Sequence, residues 1–332
     1  MTEKFRCTMI LIGLAVLLSG CFSDGQKVSS NSINYLNGED TVSLFDFDKS
    51  KVTDQLKLKI SSEFPFGRTS INPVEKTTLT MILNSETNGY HYYLQSSESF
   101  KEIGKVDESI YGGVYTNGHI YTIVYDKEGT ILKKFDPETF KEKSKWTLKG
   151  DPEAIVADYN TGTVYALTRT DDILLYTVKD QEITEKKLLD NSYEINAQFE
   201  DKTLIVSISQ LVRQNGKETN NKEEKRIVFY DTDREKITNT YTTEHPPKFV
   251  MPSENGLLVF SGTPNNNYLE EINDENEIIS SSELETTEIF GLAVHQEHKY
   301  MVARDGIYEV KNGQVSLIEK NEVPDSVDLS IQ

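Results

Sequence analysis

Two stretches of the chain can be laid over one another. "GGVYTNGHIYTIVYDKEGTILKKFDPETFKEKSKWTL", from Gly112, and "EAIVADYNTGTVYALTRTDDILLYTVKDQEITEKKLL", from Glu153, share one layout. Each has a short apolar strand, a tight turn, a Tyr-containing strand, a polar loop, and two more strands around a second turn. Asn117-Gly118 and Asn160-Thr161-Gly162 occupy the first turn, and Asp136-Pro137 and Lys179-Asp180 the second. These residue types suit hairpin turns, which need positive φ or a side chain that caps the backbone. A repeating unit of this size cannot bury a core alone and must stack on its copies. From Ile33 onward no long helical pattern competes with this reading.

The unit recurs. Taking the end of the third strand as a marker gives Phe47, Leu94, Phe135, Val178, Tyr230, Ile272 and Val310. Their mean step is about 44 residues, within the range of four-stranded propeller blades. The expected fold is therefore all-β, a seven-bladed β-propeller over residues 33–332. The unit around Phe47 lacks an inner strand, whereas Val327-Asp328-Leu329-Ser330-Ile331 is a strand without a unit of its own. Joined, the N- and C-terminal strands would close the last blade and remove the exposed edges of an open array. With 36% hydrophobic and 27% charged residues, the chain has enough apolar surface for such a core.

The repeats resemble the YVTN-type and lactonase-like seven-bladed propellers. The best match is Asp158-Tyr159-Asn160-Thr161-Gly162-Thr163-Val164-Tyr165-Ala166-Leu167-Thr168, and Tyr121-Thr122-Ile123 is a weaker copy. The quinoprotein propellers share the Thr-Gly turn but place a Trp after it in each blade. Only Trp146 exists here, on an outer strand, so no quinone cofactor is expected, and no other cofactor either.

The N-terminal segment reads differently. Lys4 and Arg6 precede an apolar run from Met9 to Leu18, which is too short to span a bilayer and has the layout of a secretion signal. Leu18-Ser19-Gly20-Cys21 resembles the bacterial lipobox. The resemblance implies cleavage before Cys21 and a diacylglyceryl thioether, with palmitate-type acyl chains, on its sulfur. Residues 1–20 are then a lipoprotein signal peptide. Residues 21–32 are a flexible tether, with the Ser- and Gly-rich "FSDGQKVSSNS" holding the domain off the bilayer. Two acyl chains suffice for stable attachment, so the expected location is the extracytoplasmic face of the cell membrane, lipid-anchored. Cys7 and Cys21 are the only cysteines, which leaves the mature fold without a disulfide.

The formal net charge of -19 excludes a nucleic-acid partner, which would require a basic face. In a propeller, the loops leading into the inner strands and those between second and third strands share one face. The candidate ligand residues there are Arg68, Tyr111, Glu153, Glu194, Lys248, Glu288 and Asp325. Glu153, Glu194, Glu288 and Asp325 could converge on a hard cation in a lactonase- or lyase-like enzyme, but Arg68 and Lys248 would sit beside it, so no metal is expected. His295 and His298 fall across a turn of the opposite face, and Asn273–Glu277 lacks the Gly and spacing of a calcium loop. No catalytic set is apparent. Gln210–Lys225 lengthens the fourth repeat and reads as a mobile loop on the ligand-bearing face. The expected function is that of a monomeric, non-catalytic binder of a protein, peptide or glycan; the alternative is the metal-dependent enzyme.

Overall fold

The structure is a computed structural model. It describes residues 32–37, 41–57, 66–84, 89–96, 100–214, 217–253, 256–263, 266–286, 289–295, 298–303, 305–311, 313–320 and 328–331. The expected signal peptide, Cys21 and nearly all of the tether lie outside these residues, as do Glu288 and Asp325.

The described chain is a β-propeller of antiparallel meanders. A three-stranded N-terminal sheet comes first: β1 (Ser32–Asn37), β2 (Thr41–Asp46) and β3 (Lys51–Lys57). Six four-stranded blades follow. Blade 1 is β4 (Phe66–Asn72), β5 (Thr77–Asn84), β6 (Gly89–Gln95) and β7 (Phe100–Val106). Blade 2 is β8 (Ser109–Thr116), β9 (His119–Asp126), β10 (Gly129–Phe135) and β11 (Glu142–Leu148). Blade 3 is β12 (Asp151–Asp158), β13 (Thr163–Arg169), β14 (Ile173–Lys179) and β15 (Glu182–Leu189). Blade 4 is β16 (Ser192–Glu200), β17 (Thr203–Gln214), β18 (Lys217–Asp231) and β19 (Lys236–Thr242). Blade 5 is β20 (Pro247–Ser253), β21 (Gly256–Thr263), β22 (Asn266–Asn273) and β23 (Ile278–Leu284). Blade 6 is β24 (Ile289–His295), β25 (His298–Ala303), β26 (Gly306–Lys311) and β27 (Gln314–Lys320); β28 (Asp328–Ile331) ends the chain. Six of the seven sequence markers close a third strand, and Phe47 follows β2 in the short sheet.

Burial explains why the inner and outer strands differ in sequence. Each blade is sandwiched between two others, so its second strand is covered on both sides. The β13 sequence TVYALTR is accordingly almost continuously buried and apolar. The outer strands β15, β19 and β23 face solvent and carry Glu, Lys, Thr and Ser. The core is a series of wedges between blades. Val156, Tyr165 and Leu167 of blade 3 pack on Ile195, Val206 and Tyr230 of blade 4. Met81 and Tyr92 of blade 1 pack on Ile120 and Val124 of blade 2. The N-terminal sheet packs on this series: Phe45 and Phe47 lie against Tyr300, Val302 and Ile307 of blade 6, with Phe47 and Tyr300 ring centroids 4.4 Å apart. Each such fully buried side chain contributes about 1.5–3 kcal/mol.

First strands of successive blades are neighbours around the axis, and β28 lies between β24 and β4. This is the inner position that the chain ends leave open, but its hydrogen-bonding partner differs from expectation. β28 runs parallel to β4, with Ser330 opposite Arg68, and among the described residues no ladder joins it to β1. First strands of all blades point the same way along the axis, so a strand in that position meets β4 in parallel.

Gln210–Lys225 is not the loop its composition suggests: β17 and β18 extend into a long hairpin, with Gln210 opposite Glu223 and Gln214 opposite Lys217.

Candidate functional site

Strand starts and the connections between second and third strands share one face, here called upper. The lower face carries the turns between first and second and between third and fourth strands. On the upper face a cleft of about 480 Å³ opens where blades 2, 3 and 4 meet. It is lined by Tyr111 and Tyr125 of blade 2, by Asp151, Pro152, Glu153 and Arg169 of blade 3, and by Glu194, Ile195, Asn196 and Ser209 of blade 4. The volume falls within the range of small-ligand sites.

The cleft side chains are aimed by β-bulges. In β8 the register slips between Ile110 and Gly112, which leaves Tyr111 as the extra residue. In β12 it slips between Pro152 and Ala154, which leaves Glu153. In blade 4 the extra residue falls on the second strand: Glu194 faces Gln210 and Ile195 faces Ile208, so Ser209 bulges, and its hydroxyl donates to the Glu194 carbonyl at 3.3 Å. A bulge turns a side chain out of the alternating pattern and sharpens the local twist, which is how a strand buried between blades can present a residue to the channel mouth. Blade 5 has a register slip of the same kind at Lys248, and in blade 6 the backbone register slips between Ile289 and Gly291.

Among the described residues the cleft holds three carboxylates and one guanidinium. Arg169 Nε lies 3.2 Å from Glu153 Oε1, and its Nη2 lies 4.0 Å from Asp151 Oδ2. The Glu153 side chain is only 11% exposed. Burial pushes its carboxyl up to about 7. Arg169 opposes that shift, as does the backbone N–H of Ile195, while the charges of Glu194 and Asp151 reinforce it. Above the carboxylates stand Tyr111 and Tyr125, 37% and 42% exposed, their rings edge to face with centroids 6.3 Å apart. Together the walls supply aromatic faces, hydroxyl and amide groups, and more negative than positive charge.

Of the seven sequence candidates, Tyr111, Glu153 and Glu194 meet in this cleft. Lys248 sits at its own bulge in blade 5 and is not part of the lining. The Arg68 backbone lies in β4, but its side chain is outside the described part, as are Glu288 and Asp325. Where a metal-binding arrangement would place a cation against Glu153, Arg169 is already bonded. Among the described residues no three His, Cys, Asp or Glu side chains are grouped to hold a metal. Tyr125, Asp151, Arg169, Asn196 and Ser209 were not anticipated. One signal was available: Arg169 closes the strand opposite Asp151 in the register, the only upper-face Asp–Arg pair of that repeat.

The histidines lie elsewhere. His295 and His298 face each other across a lower turn, and His298 Nδ1 is 2.8 Å from Glu309. His245 stacks on Tyr268, and its Nδ1 is 2.7 Å from the buried Glu270 carboxylate, which also accepts the backbone N–H groups of Glu244 and His245. That cluster fastens the connection into β20. The turn 274–277 is exposed, and Asn273 caps it by accepting from the amides of Glu275 and Glu277.

No protein-family model and no curated protein sequence matches the chain. Solved structures do match in fold. BamB from Moraxella catarrhalis aligns with a TM-score of 0.51 at 10% identity, over 85% of this chain and 94% of that one. The dihydro-heme d1 dehydrogenase NirN in complex with DHE aligns at 0.61 and 9% identity, over 93% of this chain and 68% of that one. A chain of the Mitotic Checkpoint Complex aligns at 0.57 and 8% identity, over 86% and 91%. At such identities the likeness is one of fold. It bears out the β-propeller that the sequence resemblance implied, without a matching family.

Proposed function

We propose that the protein is a membrane-anchored extracytoplasmic lipoprotein whose propeller binds a protein, peptide or glycan through its upper face, without catalysis. The observation that carries the binding part is the cleft at blades 2, 3 and 4: a preformed concavity with two exposed tyrosines and hydrogen-bonding groups of both kinds. The fold is shared with proteins of very different roles, so the case rests on the site. Propellers among the structural neighbours, including a chain of the Mitotic Checkpoint Complex, are compatible with a binding role.

The anchor is supported by Leu18-Ser19-Gly20-Cys21 after the apolar run. A seventh blade is supported by the place of β28 in the inner ring and by the packing of Phe45 and Phe47 on blade 6: β28 would supply the inner strand and β1–β3 the remaining three. Such an arrangement keeps both chain ends at one sector of the ring.

Two measurements test the reading. Mass spectrometry of the mature N-terminal peptide is expected to show a diacylglyceryl Cys21, and Cys21→Ser is expected to leave the membrane fraction; an unmodified mature terminus overturns the anchor. Peptide and glycan arrays probed with the full-length protein in detergent are expected to give binding that Tyr111→Ala/Tyr125→Ala abolishes. Binding indifferent to both substitutions overturns the assignment of the cleft.

A further inference from the structure

The lower end of the seam between blades 2 and 3 gathers cationic and hydrogen-bonding groups that the fold leaves unanswered. The ladders of blade 2 set them side by side. Tyr121 and Ile123 of β9 share a core cluster with Ala157 and Val164 of blade 3. Alternation along β9 places His119 on the same side as these two. Thr116 lies opposite His119 in the β8 ladder, and Lys134 lies opposite Tyr121 in the β10 ladder. Thr116, His119, Tyr121 and Lys134 therefore occupy one side of the sheet, beside the turn where Gly162 meets Asn117.

Lys134 is 8% exposed, and its ammonium lies 5.4 Å from the Tyr121 ring centroid. Among the described residues no carboxylate pairs with that ammonium and no acceptor takes its hydrogens. Burial pulls the amine below the ordinary lysine range. Thr116 is fully buried, and its hydroxyl has no hydrogen-bond partner. His119 is half-buried, and its enclosed Nδ1 is likewise without a partner. Burial lowers the His119 imidazole and the Lys134 charge adds to that; Asp136, Lys143 and Glu75 act more weakly, the two acids in the opposite sense. Both acids are already engaged. Asp136 accepts from the amides of Glu138 and Thr139 and from the Thr139 hydroxyl, and lies 3.2 Å from Lys143. Glu75 accepts from the Asn117 amide and from the Asn72 side chain.

A buried cation is costly until a counter-charge meets it, and buried donors without acceptors add to the cost. From this arrangement we infer that the lower seam of blades 2 and 3 binds one small oxyanion, a phosphate or a carboxylate, held by Lys134, Thr116 and His119. The anion pairs with the Lys134 ammonium and accepts from the Thr116 hydroxyl and from His119 Nδ1–H. A metal ion would be repelled by Lys134, and an apolar ligand would leave all three groups unanswered. The half-buried His119 forms the rim of the site. Once the anion offsets the Lys134 charge, His119 takes up a proton more readily. The site is separate from the upper cleft, and its occupancy is independent of any ligand there.

The test is an NMR pH titration of the full-length protein in detergent micelles, with histidine labelled and the His119 signal assigned through His119→Gln. The reference contains sodium chloride. Sodium phosphate replaces it in one arm and sodium acetate in another, at equal ionic strength. The His119 midpoint is expected to rise by about 1 pH unit in at least one arm. His91 and His298, each already beside a glutamate, are expected to stay in place. A rise in phosphate alone assigns a phosphate, and a rise with acetate assigns a carboxylate. Lys134→Met removes the like charge, so its His119 midpoint is expected to lie higher without added anion and to respond to neither salt. Thr116→Val, close in shape to wild type, is expected to weaken anion binding about 10-fold. Circular dichroism is expected to show both variants folded. No rise in either arm, an equal rise of all three histidines, or a response that both variants keep overturns the inference.

Discussion

The cleft and the lower turns of the neighbouring blades are built from the same residue types and treat them in opposite ways. In the lower turns every carboxylate named here is engaged by local donors. Asp158 accepts from the amides of Asn160 and Thr161 and from the Thr161 hydroxyl at 2.7 Å. Asn72 accepts from Val74 and Glu75 and donates to the Tyr115 carbonyl of the next blade, and Glu75 accepts from the Asn117 amide at 2.6 Å. Gly162, with φ of 74°, brings its turn against Asn117, where an added Cβ would sit 2.8 Å from the Asn117 Cβ. These bonds link blades 1 and 2, and the Gly162 turn packs blade 3 against blade 2. In the cleft, Glu153 and Asp151 share one guanidinium, and with Glu194 they line an open volume. Acids on the lower side serve the fold, whereas those above are left for something outside it.

The contrast can be broken by substitution, and the largest expected effect is at Glu153. Its folded carboxyl titrates at about 7 against an ordinary value of 4.5. The folded state therefore holds the proton more tightly, and this group's contribution to stability falls as pH rises from 4.5 through 7. Glu153→Gln should remove that dependence. Denaturant unfolding at pH 5 and pH 8 is expected to show the variant gaining about 2–3 kcal/mol relative to wild type between the two. An unchanged difference would mean that Arg169 compensates the carboxylate fully.

Next comes the lower face. Asp158→Ala strips three donors of their acceptor and is expected to cost about 2 kcal/mol at pH 7, read from the urea midpoint. Gly162→Ala forces a side chain into left-handed backbone and against Asn117, at a cost of about 1–2 kcal/mol in the same assay. Neither should alter peptide binding. The smallest effect on stability is expected at Tyr125, half open to solvent: Tyr125→Ala should fall within about 0.5 kcal/mol of wild type while weakening peptide binding. A large stability loss there would make the tyrosine part of the scaffold.

The same contrast explains what could be read from the sequence. The turn around Asp158-Tyr159-Asn160-Thr161-Gly162 was legible because capping and positive φ are local, written in five consecutive residues. It carried the family resemblance, and it is a lower-face turn remote from the cleft. The all-β repeat and the order of its units were legible through the spacing of third strands, since each blade buries the same kind of second strand. The cleft was only partly legible. Tyr111, Glu153 and Glu194 were found because strand starts share one face. Arg169, Tyr125 and Ser209 were missed because each comes from a second strand, and Ser209 from within one, and is brought in by register. The bulges at Tyr111, Glu153 and Ser209 left no mark in the alternation of such heavily buried strands. The Gln210–Lys225 segment misled because polar, Asn-rich composition reads as loop, while the ladder to β16 carries both strands outward as far as Arg213. The ladder of β28 to β4 was not legible, because a strand at the inner ring can bond to the next blade as well as to its own.

The most direct test is an amide NMR titration of the full-length protein with a peptide or glycan selected on the arrays. The account predicts shifts confined to the cleft, at Tyr111, Glu153, Arg169, Glu194 and Ser209, with Asn117, Asp158 and Gly162 of the lower turns unmoved. Shifts scattered over the acidic surface, or concentrated on the lower face, would contradict it.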